Sequence, residues 1–128
     1  MTERPRDRLG RPLAWDAEGF PGVEQRAEIS WAVAVSEAHD YLGRDLPFHA
    51  HEVLEMRWRC CAANERALWR GLAQAAAGHT QAARGNQVGA QRLVLRGRVT
   101  IEDYAGPLDK STRQLIAALT EIDPVMEH

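Results

Sequence analysis

Residues 48–58 carry the groups in this chain best suited to chemistry: an imidazole at His51, carboxylates at Glu52 and Glu55, and an indole at Trp58, with Phe48 just before them. On a helix turning 100° per residue, Phe48, His51, Glu55 and Trp58 fall within about 80° of arc, on a stripe that also carries Ala62 and Leu54. Glu52 sits at its edge. An imidazole and a carboxylate one turn apart inside an apolar stripe must be paired or bound, because leaving each unpartnered in a core costs about 2–7 kcal/mol. Two uses are open. As a buried structural pair, His51 and Glu55 would bond the Trp58 indole, Gln74 or a backbone carbonyl and fix helix register. As ligands, His51 and Glu55 with His79 would supply three nitrogen and oxygen donors, enough for a divalent metal that keeps one position open to water. If Glu52 leans over His51, the three ionisable groups form a candidate general acid/base cluster. The spacing is neither the His-Glu-x-x-His zinc motif nor the Glu-x-x-His pair of di-iron bundles.

The background chemistry narrows the classes. A formal charge of −2 gives no electrostatic footprint for nucleic acid or anionic lipid. Lys110 is the only lysine, so arginine carries the positive charge. Cys60 and Cys61 are helix neighbours pointing about 100° apart, a poor placement for a shared disulfide or metal. No segment has the apolar length of a signal-peptide core or of a membrane span, which predicts a reducing, cytoplasmic setting. There is no glycine-rich phosphate loop and no nucleophile elbow.

The elements that must position the box are helical. Pro and Gly are scattered through residues 1–22, which read as an extended or flexible arm hooked by Leu13, Trp15 and Phe20 and dispensable for folding. A first helix is predicted over 23–41, with His39 exposed on its edge, ending at Gly43. Pro47 suits the first position of the second helix, which bears the box. Its opposite strip, Val53, Met56 and Cys60, is either sandwiched between neighbours or an interface for self-association. Asn64 is the predicted cap of a third helix to Arg84, on which Gly71, Ala75, Gly78 and Ala82 let another helix approach closely. A hairpin turn at Arg84-Gly85-Asn86 leads to a fourth helix with Ala90, Leu93, Val94 and Gly97 inward. Arg84, Arg92, Arg96 and Arg98 read as a wet face. Asp109 caps a fifth helix with Leu115, Ala118, Leu119 and Ile122 inward. No strand pattern is present.

Phe48, the His51-Glu52-x-x-Glu55-x-x-Trp58 box, Glu65-Arg66, Gly71-Leu72-x-Gln74, and Arg84-Gly85-Asn86 followed by Gly89-Ala90 together resemble the bacterial and archaeal family called domain of unknown function 309. The likeness spans about residues 30–108. It implies a small, all-helical, cytoplasmic protein whose biochemical role is unassigned. The arm, with Arg6-Asp7-x-Leu9-Gly10-Arg11-Pro12-Leu13, looks like the leader of some relatives. His79 is not among the residues that carry the resemblance, and its role rests on helical geometry alone.

The expectation is therefore an all-α protein, a compact array of about five antiparallel helices built from helical hairpins. Residues 1–22 form the arm, 23–123 a single domain and 124–128 a tail. The box of Phe48, His51, Glu52, Glu55, Trp58 and Gln74 is read as structural or binding, for a protein or small ligand. The alternative is a metal-dependent, hydrolase-like enzyme using His51, Glu52 and Glu55 for catalysis, or His51, Glu55 and His79 for metal. No cofactor is predicted beyond that divalent metal, no nucleic acid or membrane partner is expected, and a homodimer is one outcome.

Overall fold

The computed structural model of the protein describes residues 3–121. Five helices follow one another in the chain: α1 (Trp31–Gly43), α2 (Pro47–Cys60), α3 (Arg66–Ala83), α4 (Gln87–Ile101) and α5 (Lys110–Thr120). A single 3-10 turn, Ala63–Glu65, precedes α3. Sequence-adjacent helices pack together, and no strand occurs among the described residues; the arm makes one isolated bridge between Arg6 and Pro12. The protein is all-α.

The first helix starts later than its periodicity predicts. Ser30 caps it by accepting a hydrogen bond from Val33 N at 3.2 Å. Upstream, the Ile29 carbonyl accepts from Arg57 Nη1 at 3.0 Å, so it is drawn to α2 rather than into a helical ladder. Arg26 forks onto both Glu37 oxygens at 2.8 and 2.6 Å. These contacts hold residues 23–30 extended along the domain, with Ile29 buried. Asn64 does not cap α3 either: it lies inside the 3-10 turn, and no side chain caps that helix.

The other helix ends match expectation. Pro47 opens α2, Asn86 Oδ1 accepts from Gly89 N at 2.9 Å, and Asp109 Oδ1 accepts from Thr112 N at 2.7 Å. Bonds from Thr112 hold the Asp109 carboxyl below its ordinary range. Gly85, at φ +88°, makes the left-handed residue of the α3–α4 turn, a conformation that costs glycine little. Ile122 lies outside the described residues.

The core is a continuous cluster centred on α2 and α3. Ala50, Val53, Leu54 and Met56 of α2 meet Leu68, Trp69, Leu72 and Ala76 of α3, with Leu115 and Leu119 of α5 closing one side. The Val53/Met56 strip is thus buried within the fold rather than serving as an interface. Trp31 meets Trp69 edge to face at 5.1 Å and donates to Thr112 Oγ1 at 2.8 Å, tying α1 to α3 and α5. The α3–α4 seam uses the predicted small residues: a Cβ built on Gly71 would lie 2.7 Å from Gly97 O, and one on Gly78 2.9 Å from Ala90 O.

The arm is folded onto the domain by a residue the sequence reading did not choose. Leu9 is 8% exposed, whereas Trp15 is 69% exposed and Phe20 is also exposed. Arg84 donates twice to Leu9 O, at 3.1 and 2.6 Å, and Gly10 lies against the Phe48 ring. His49, buried and unremarked in the sequence, donates from Nε2 to Pro21 O at 2.8 Å and packs against Phe20 and Tyr41. Arg84 therefore clamps the arm, and Arg98 bonds the Thr120 carbonyl at the end of α5. Neither belongs to a free wet face.

Candidate ligand cleft

α2 brings the box residues to one side of an open cleft because they share a helical face, and α3 supplies the floor. The cleft has a volume of about 370 Å³. His51, Glu55 and Trp58 line it from α2, while Arg70, Ala73, Gln74 and Ala77 line it from α3 and Leu93 from α4. His51 Nε2 stands 3.1 Å from Glu55 Oε2, and the other Glu55 oxygen accepts from Arg59 Nη1 at 3.4 Å. Phe48 leans on the imidazole with ring centroids 6.1 Å apart. Arg66 covers one face of Trp58 at 4.6 Å. Gln74 is tied to α4 through Thr100 Oγ1 at 2.9 Å.

The His51–Glu55 pair is at the rim, not in the core: the side chains are 24% and 35% exposed. The expected buried pair is corrected on this point, and the reason is geometric. α2 buries its other side: Val53 and Met56, opposite His51, pack with Ala50 and Leu54 in the core that meets α1 and α3, so the box side is left at the mouth of the cleft. Neither Trp58 nor Gln74 bonds the pair. The Trp58 Nε1–H is sealed from solvent and has no acceptor among the described residues, an under-satisfied donor that costs about 1–3 kcal/mol.

His51, Glu52 and Glu55 come together as ligand atoms within 4.8 Å of one another, the geometry of a candidate cation site. His79 does not join them. Its Nε2–H donates to Leu119 O at 2.8 Å, beside a separate cavity of about 50 Å³ between α3 and α4. The helical strip that carries His79 faces α5, and the cleft lies on another face of α3. His39, expected to be exposed, is half-buried and donates to Ser111 O at 3.0 Å.

Sequence reasoning missed Arg70, Ala73 and Ala77. Their signal was present: with Gln74 they recur at helical spacing along α3, one strip away from the glycine seam. Below the cleft, Glu65 Oε1 accepts from Arg57 Nη2 at 2.7 Å and Trp69 Nε1 at 2.9 Å. Burial would raise the Glu65 pKa, but these bonds and the Arg57 charge more than offset it and hold the carboxyl below its ordinary range. This network braces the α2–α3 junction. Burial pushes the Cys61 thiol up, which disfavours the thiolate a nucleophile needs.

Fold and site together define a small all-helical protein with a mixed polar and apolar cleft on one side of its central helix. Residues 35–93 match the model of the family described as a domain of unknown function (DUF309). The match takes in the whole of α2 and α3, and so every box residue, while the arm and α5 lie outside it. No curated protein and no solved structure matches the chain. No described helix is long and apolar enough to cross a membrane.

Proposed function

We propose that the protein is a binding module whose α2–α3–α4 cleft receives a small ligand. The observation that carries this reading is the meeting, in one cleft, of an alanine floor with a polar side chain whose bonding capacity is unspent. Arg70 is exposed and has no partner among the described residues, and the Trp58 ring lines the cleft with it. A volume of about 370 Å³ falls within the range of small-molecule sites, roughly 300–1,000 Å³. An apolar surface with a few convergent polar groups is what such sites use to gain affinity and orientation. The test is native mass spectrometry of gently purified protein beside an Ala77→Trp variant, which fills the cleft. The wild type should carry a small-molecule adduct that the variant lacks. Identical spectra, with both proteins folded by circular dichroism, would refute the reading.

A second reading is favoured by the clustering of His51, Glu52 and Glu55, whose ligand atoms could hold a divalent cation at the cleft mouth and serve metal-assisted hydrolysis. Elemental analysis separates the two. Near-stoichiometric transition metal that is lost in His51→Ala supports the metal reading, and metal-free protein that still carries the adduct supports the binding module.

A further inference from the structure

We infer that α4 is a self-association surface and that two copies of this chain pair through it, antiparallel, about a two-fold axis. Six large apolar side chains are exposed among the described residues, and three of them, Val88, Leu95 and Val99, are on this one helix. They recur at intervals of seven and four, which places them within about 40° of arc on a helix. The strip is directed away from α3, because the seam face of α4 is Ala90, Val94 and Gly97, all buried. Arg92 lies on the same strip, and Glu102 and Asp103 extend it past the helix end. None of these three side chains has a partner among the described residues.

The charges choose the occupant and the direction. The strip carries Arg92 toward its start and two carboxylates at its finish, with Arg96 flanking it between them, so its two ends complement a reversed copy of itself. With the axis crossing the exposed strip at the height of residue 97 along α4, Leu95 of one copy meets Val99 of the other, and Arg92 meets Glu102 and Asp103. The contact is isologous, which closes at two copies. A parallel pair would set like charges against each other, which is unfavourable. A single helix crossing buries less than the roughly 1,200 Å² of standard interfaces, so the dimer is weak and forms at micromolar concentrations or above. The cleft lies on another face of the domain, and its occupancy does not enter the argument.

Sedimentation velocity of the full chain, across a dilution series from about 300 to 3 μM, reads the proposal directly. The wild type should move from dimer toward monomer on dilution, and more so at high salt, which screens the Arg92 pairs. Leu95→Glu should be monomeric throughout. Arg92→Glu should weaken pairing at least tenfold, and Arg92→Glu combined with Glu102→Arg and Asp103→Arg should restore it. The four side chains are solvent-exposed, so the variants retain the fold, checked by circular dichroism. A wild type monomeric at the highest concentration would overturn the proposal. So would a dimer indifferent to Leu95→Glu, and a charge reversal that fails to recover pairing would overturn the antiparallel arrangement.

Discussion

Three glycines in this chain should respond to alanine in three different ways, and the difference tests how the helices are held. At Gly71 an added Cβ would stand 2.5 Å from Ile101 Cγ1, 2.7 Å from Gly97 O and 2.9 Å from Ile101 N. Two of those atoms are backbone and cannot swing aside, so α4 itself must move away from α3 along the seam. Overpacking of this kind costs about 1–3 kcal/mol, against which alanine regains at most about 1 kcal/mol of helix propensity over glycine. Gly71→Ala should therefore destabilise by about 1–2 kcal/mol, and Gly71→Val by more, since valine adds bulk without that propensity. Gly43, at the end of α1, has nothing within 4 Å of its would-be Cβ and no positive φ. Gly43→Ala should be neutral or stabilising by up to about 1 kcal/mol. Gly85 also has open space, but its φ of +88° penalises any L side chain, so Gly85→Ala should cost about 1 kcal/mol without any clash. Urea unfolding followed by circular dichroism measures all three on one scale. If Gly71→Ala matches Gly43→Ala, the helices do not approach as closely as the seam requires, and the packing argument fails.

Three further predictions follow from the arm, the box and Glu65. Deleting residues 1–22 should leave cooperative unfolding but lower the denaturant midpoint, because Leu9 alone contributes about 1.5–3 kcal/mol of burial and Arg84 and His49 lose their carbonyl acceptors; an unchanged midpoint would show that the arm is only draped on the surface. A double-mutant cycle on His51→Ala and Glu55→Ala should return a coupling of about 0.2–1 kcal/mol, as for a rim pair, and a value of several kcal/mol would mean the pair is sealed in. Glu65 sits below its ordinary value near 4.5 when folded, so its contribution to stability is complete above that value and is lost as pH falls through the lower folded value. Glu65→Gln should therefore be less stable at neutral pH and lose less stability between about pH 5 and 3, and equal slopes for variant and wild type would contradict the Arg57–Glu65–Trp69 network.

The sequence alone determined the local terms of this protein. The helical class, the hairpin at Gly85 and Asn86, the Pro47 start, the Asp109 cap and the close seam at Gly71 and Gly78 were all legible, because each depends on periodicity, backbone conformation or a side chain bonding its own turn. The proximity of His51, Glu52 and Glu55 was legible for the same reason, since all three ride one helix. What only the tertiary structure decided were questions of which face meets which. His51 and Glu55 share an apolar stripe with Leu54 and Trp58, yet α1 and α3 cover the opposite side of α2 more fully, so the pair comes to rest at a cleft mouth. His79 shares a helix with Gln74 but points to α5, because five residues on it stands about 140° further around α3. Residues 23–30 have the pattern of a helix and are extended, since Arg57 and Glu37, distant in sequence, claim the Ile29 carbonyl and the Arg26 side chain. Periodicity reports the faces of an element, and partners outside it, such as Arg57, 28 residues from Ile29, choose which face is covered.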